Sequence, residues 1–99
     1  RHIVMWNLKG DTKEEKAKNI RRLCQSFDSL RGRIPGLIHL EIGVDQSRID
    51  YACDVVLYSE FESVQALKNY ATHPEHLRVK DEVAGLRIAK HQVDYAVGT

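Results

Sequence analysis

Cysteine is scarce: the chain has two, Cys24 and Cys53, in separate segments and without Cys-x-x-Cys spacing. Free cysteine usually behaves as a small buried hydrophobe, so the pattern asks for no disulfide framework and no cysteine-held metal. Excess charge is also lacking, with 15 Lys+Arg against 14 Asp+Glu and a formal net charge of +1. That balance gives no electrostatic footprint for nucleic acid or an anionic membrane. The locally basic stretch from Lys9 to Arg33 reads as the solvated face of a helix. No run approaches the roughly 18 apolar residues of a membrane span, and no basic-then-apolar leader precedes the first strand-like segment. Repeats and low-complexity segments are missing too. These absences predict a cytoplasmic protein without membrane or nucleic-acid partners, and nothing in the pattern calls for a cofactor.

What is present is ordinary globular usage, 42% hydrophobic and 29% charged over 99 residues. The expectation is one domain over 1–99. A chain of this length buries only about two thirds of the surface it exposes when unfolded. Any apolar face its own elements cannot cover therefore needs a partner.

Strand and helix signals alternate along the chain. His2 to Lys9 is rich in β-branched and aromatic residues and closes on Gly10-Asp11, which predicts a strand. Thr12 and Glu15 fit a capping box. Ala17, Ile20, Leu23, Cys24, Phe27 and Leu30 then recur at three and four, the stripe of a helix that Gly32 and Pro35-Gly36 stop. Leu37 to Asp45 alternates, with Ile38, Leu40, Ile42 and Val44 on one face and His39 and Glu41 on the other. Tyr51 to Ser59 reads as a third strand, with Cys53, Val55 and Leu57 sharing a face. Ser59 and Glu62 offer a second capping box, followed by Phe61, Val64, Leu67, Tyr70 and Ala71 at helical spacing. Because a residue before proline is pushed out of the α region, this helix ends near His73, and Pro74 opens a short one to about Gly85. Ile88 to Val97 closes the chain as a strand. Either Ala89, His91, Val93 and Tyr95 or Ile88, Lys90 and Gln92 face the helices in it.

The order βαββαβ predicts an α+β, ferredoxin-like fold, a four-stranded antiparallel sheet with helices on one face. The first strand is apolar on both sides: His2, Val4, Trp6 and Leu8 on one, Ile3 and Met5 on the other, where Val56 and Tyr58 join them. Leaving that second face in water is costly, at about 1.5–3 kcal/mol for each large side chain. A homodimer through the sheet face is the expectation, since a twofold contact suits a flat face.

The stretch Phe61 to His76, FESVQALKNYATHPEH, stands beside a leading His2-Ile3-Val4 and a closing Asp94-Tyr95. Taken together, these fragments closely resemble the stress-responsive dimeric α/β-barrel family over essentially the whole chain. The resemblance implies a small dimeric α/β barrel with a pocket between sheet and helices. Its members include plant stress-induced proteins and a cyclase that closes a linear polyketide by aldol condensation. In that cyclase the positions matching Tyr70 and His76 are catalytic, and the one matching His2 lines the pocket. Where it has a further pocket histidine, this chain has Val55.

The residue types agree with such chemistry without requiring it. A histidine exchanges protons near neutral pH, and a tyrosine hydroxyl can hold a carbonyl or enolate oxygen. His76 as base and Tyr70 as hydrogen-bond donor are the candidate catalytic pair. Trp6, Phe27, Leu57 and Leu67, with His2 and Val55, are the candidate contacts for a small apolar ligand. The structural alternative has Tyr70 capping the core while His73 and His76 hydrogen-bond the helix turn at Pro74. His73 and His76 at i, i+3, even with His2, fall short of a zinc site for want of a spaced Cys or Glu, so no metal is expected. His39 and His91 are expected on the sheet face near a dimer seam. Three function classes follow, in this order: a small-molecule enzyme or binding protein, a non-catalytic stress or assembly protein whose dimer is the functional unit, and a ferredoxin-like RNA binder. The last lacks the basic, aromatic strand motif such binders use.

Overall fold

The computed structural model describes residues 1–98. It contains β1 (His2–Leu8), α1 (Lys13–Asp28), β2 (Leu37–Val44), β3 (Val55–Phe61), α2 (Val64–Thr72), α3 (Pro74–Val83), a 3-10 turn (Ala84–Leu86) and β4 (Arg87–Asp94). The sheet order is β2-β3-β1-β4 with every neighbour antiparallel. This is the ferredoxin-like arrangement, with all helices on one face.

Local chemistry sets the element ends. Thr12 Oγ1 accepts from the Glu15 amide at 3.1 Å, and Glu15 reaches back to the Asp11 amide at 2.9 Å. The box therefore forms one residue wider than the ideal reciprocal pair. After α1 the chain turns through Gly36, whose φ of 79° favours glycine. Asp54 fastens β1 to the third strand: its carboxylate accepts from the Leu8 amide at 2.8 Å and from Lys16 Nζ at 3.3 Å.

Three expectations are corrected. The third strand runs from Val55 to Phe61 rather than Tyr51 to Ser59, because the Ala52 amide turns back to the Ile49 carbonyl and leaves Tyr51 exposed. The Ser59–Glu62 capping box does not form. Ser59 is buried in mid-strand, and Ser63 caps α2 by accepting from the Ala66 amide at 3.0 Å. In β2 a register shift between Leu37 and His39 throws Ile38 outward. Of the expected inward row only Leu40 and Ile42 then pack on the core, while Val44 is exposed at the strand end.

The open question of β4 is answered by its register on β1. His2, Val4 and Trp6 point at the helices, and they pair with Asp94, Gln92 and Lys90. Lys90 and Gln92 therefore lie on the helix side, while Ala89, His91 and Val93 lie on the open face. Ile88 is the extra residue between the Leu8–Arg87 and Asn7–Ala89 pairs and is exposed.

The core joins Val4, Trp6, Leu8, Val55 and Leu57 of the sheet to Ile20, Leu23 and Phe27 of α1 and to Tyr70, Val79 and Val83 of α2 and α3. Seven of the eight residues of β4 remain exposed. The helices thus leave room over the β1–β4 side of the sheet, and the site lies there.

Candidate active site between β1, β4 and the α2–α3 break

The break between α2 and α3 brings the two principal side chains together. His73 ends α2 with extended backbone at ψ 135°, and its Nδ1 accepts from the Glu75 amide at 3.1 Å to start α3, with Pro74 in the first turn. Tyr70 in the last turn of α2 and His76 in the first turn of α3 consequently face the same space. Their ring centroids are 4.2 Å apart with the planes inclined by 38°. Tyr70 also leans on Phe61 at 5.1 Å and meets the edge of His2 at 6.0 Å.

Each group has a defined protonation chemistry. His76 Nδ1 lies 3.1 Å from the Ala71 carbonyl, which can only accept, so Nδ1 carries the hydrogen and Nε2 is the basic nitrogen. Partial burial is the main force lowering the His76 pKa, aided by the positive charges of Lys80 and Lys90 and opposed by that hydrogen bond. The neutral ring is thereby favoured at neutral pH. Burial pushes the Tyr70 hydroxyl well above its ordinary value, so it remains an O–H donor. Among the described residues that hydroxyl has no hydrogen-bond partner, and no side-chain polar atom is both sealed from solvent and unpaired. The phenol ring is buried, yet its oxygen opens onto accessible space.

That space is a cavity of about 1170 Å³ between the sheet and the helices. It is large enough for a drug-sized molecule. His2, Trp6, Phe27, Leu57, Leu67, Tyr70 and His76 all line it, so seven of the eight expected site residues meet there. Val55 lies outside the lining. That absence corrects its expected place at the ligand; burial does not set it apart, since Leu57, Trp6 and Phe27 on the lining are core residues exposed by only 1%, 3% and 4%.

Sequence reasoning missed the β4 contribution. Asp94 Oδ1 accepts from His2 Nδ1 at 2.5 Å, and Asp94 Oδ2 accepts from Gln92 at 3.1 Å. This holds the His2 ring in place at the cavity wall, with its Nε2 left as the other ring nitrogen. Asp94, Gln92 and Lys90 all line the cavity. Asp94 was visible as half of the closing Asp-Tyr fragment, but its role depended on the strand phase. The remaining histidines lie elsewhere. His73 is a helix cap, His39 approaches Glu41 at 3.6 Å and the edge of Tyr58 at 6.0 Å, and His91 pairs with Met5 on the open face. Among the described residues no group of three or more His, Cys, Asp or Glu is placed to hold a metal ion.

The comparisons with known proteins bear on this geometry. A family model described as the stress responsive A/B barrel domain matches residues 1–97. A dimeric ferredoxin-like protein of unknown function from Bacteroides fragilis is 30% identical with a TM-score of 0.82, over 95% of this chain and 91% of that one. A Dabb family protein from Mesorhizobium loti is 25% identical with a TM-score of 0.71, over 96% and 92%. The hydroxynitrile lyase of Passiflora edulis shares the fold at 19% identity and a TM-score of 0.78, over 95% and 88%. No curated protein matches.

Proposed function

We propose, from the premise that the chain belongs to the stress-responsive A/B barrel domain family, that it binds a small, largely apolar carbonyl compound in the cavity and moves a proton there. The observation that carries this reading is the Tyr70–His76 pair, a buried phenol and an imidazole whose ring centroids stand 4.2 Å apart on the cavity wall. A shared fold alone does not set the reaction, so the site must.

The chemistry the pair suits is an intramolecular aldol closure. The substrate lies along Trp6, Phe27, Leu57 and Leu67 with one carbonyl oxygen at the Tyr70 hydroxyl. His76 Nε2 takes a proton from the carbon beside that carbonyl, and Tyr70 steadies the enolate oxygen. The enolate carbon attacks a second carbonyl of the same chain, forming a carbon–carbon bond. The imidazolium returns its proton to the new alkoxide. His2, held by Asp94, is placed to orient the substrate's polar atoms. The test follows cyclisation and α-hydrogen exchange of a linear poly-β-keto acyl thioester in D₂O by NMR. Replacing Tyr70→Phe or His76→Ala should each slow both processes on the order of 10²-fold. Rates equal to those of the unmodified protein would remove the acid–base role.

A second reading concerns assembly. The face of the sheet away from the helices carries Ile3, Met5, Val56 and Tyr58, and the relative from Bacteroides fragilis is dimeric. A homodimer through that face is the functional unit under this reading, with or without chemistry in the cavity.

A further inference from the structure

The lining of the cavity carries cations as well as apolar side chains. Lys80 of α3 and Arg87 and Lys90 of β4 all line the cavity. Lys80 stands four residues beyond His76 on α3, so both share one helix face. Lys90 pairs with Trp6 and Arg87 with Leu8, which turns both toward the helix side of β4. Partial burial is the main force lowering the Lys90 pKa, and the charges of Arg87 and Lys80 are close enough to add to it.

The three side chains are exposed, so water and salt screen much of their mutual repulsion, and an anion between them would relieve the rest. Among the described residues none of the three makes an ion pair with a carboxylate. The acidic groups on the same lining do not supply that anion. Asp94 is committed to His2 and Gln92, Glu62 lies against Gly36 at the start of α2, and Asp81 makes no ion pair. Of the other cations on the lining, Arg1 is paired with Glu60 at 3.1 Å, while Lys68 stands apart on α2 and makes no ion pair among the described residues.

We infer that the ligand of this cavity is an amphiphilic anion, whose headgroup is held by Lys80, Arg87 and Lys90 while its apolar chain runs along Trp6, Phe27, Leu57 and Leu67. The inference rests on the reading of the cavity as a binding site and adds the charge class of what enters it. A planar guanidinium with two ammonium groups suits either a carboxylate or a phosphate oxygen cluster. A headgroup there also fixes which carbonyl along the chain reaches Tyr70 and His76.

Isothermal titration calorimetry with decanoate, decyl phosphate and decanol separates the possibilities. The two anions should bind the intact protein at least tenfold more tightly than decanol, and their ranking tells a carboxylate from a phosphate. The preference should shrink as salt is raised from 50 to about 300 mM, since exposed cations are screened. It should fall at least fivefold in Lys90→Gln and in Arg87→Gln, with decanol affinity unchanged. Lys68→Gln, at the α2 side of the same lining, should leave it intact. Equal affinity for decanol and the anions would overturn the headgroup assignment while leaving the apolar cavity standing. Failure of all three to bind would overturn both.

Discussion

At the scale of single residues, the environment of His76 has a calculable sign. Its pKa in the folded chain lies below the ordinary 6.5, chiefly through burial. A base must be unprotonated, so turnover should rise with pH along an acid limb centred below 6.5 and be flat through neutrality. The same shift acts on stability. Below 6.5 the unfolded chain binds this proton more readily than the folded one, so the His76 contribution is fully present above 6.5 and is lost as pH falls through its folded value. Urea midpoints measured at pH 7.5 and pH 5 should therefore differ less in His76→Gln than in the unmodified protein. A difference as large in the variant would show that His76 titrates as an ordinary exposed histidine. Tyr70 behaves oppositely. Its hydroxyl stays protonated because burial disfavours the phenolate, so Tyr70→Phe should lower turnover without moving the acid limb, a split that a pH–rate profile reads directly.

At the scale of elements, the turn after α1 is a place where backbone and packing demand the same residue. A Cβ at Gly36 would stand 2.6 Å from Ala66 Cβ, and φ is 79°. Gly32 has a φ of 73° with nothing within 4 Å, and Gly85 has open space and no left-handed backbone. The series Gly85→Ala, Gly32→Ala, Gly36→Ala should therefore destabilise by amounts near zero, about 1–2 kcal/mol, and about 2–4 kcal/mol. Thermal melts check the order, and equal losses at Gly32 and Gly36 would deny the contact with α2. Elements of this kind were legible in advance where one signal decided them. The α1 stripe from Ile20 to Phe27 and the break at Pro74 follow from periodicity and proline sterics, and both are observed. The start of α2 was misplaced because Ser59 and Ser63 offer the same capping chemistry, and only the pairing of Ser59 with His2 across the sheet chooses between them. The phase of β4 was undecidable locally for a related reason: its alternation is weak on both faces, and a bulge at Ile88 shifts it. Asp94, Gln92 and Lys90 stayed hidden as cavity-lining residues for as long as that phase was open, whereas Tyr70 and His76 were singled out by the family resemblance, and the break at the proline between them turns both to the same cavity.

At the scale of the molecule, the chain is 18 Å thin along its shortest axis, one layer of helices on one layer of sheet. Such a layer has two faces of sheet and covers only one. The strand order decides how the uncovered face is composed. The two central strands present Ile3 and Met5 from β1 and Val56 and Tyr58 from β3, and Val93 of β4 extends this apolar patch beside Ile3, while His39 and Glu41 of β2 and His91 of β4 border it. An apolar centre with a polar rim is the composition of a protein interface, and sheets stack face to face at about 10 Å. A second copy supplies the same pattern under a twofold axis. Sedimentation at micromolar concentration should therefore give twice the 11.4 kDa chain mass. Met5→Lys places a charge at the centre of that face, where a lone chain tolerates it because the side chain is half-exposed. It should yield a monomer with an unchanged circular dichroism spectrum, whereas Glu41→Gln at the rim should remain dimeric. The cavity is formed by residues of one chain, so the Met5→Lys monomer should still bind decanol with near-native affinity. A dimer that survives Met5→Lys would place the contact on another surface, and a monomeric unmodified protein would leave the apolar centre of the sheet without a partner of its own kind.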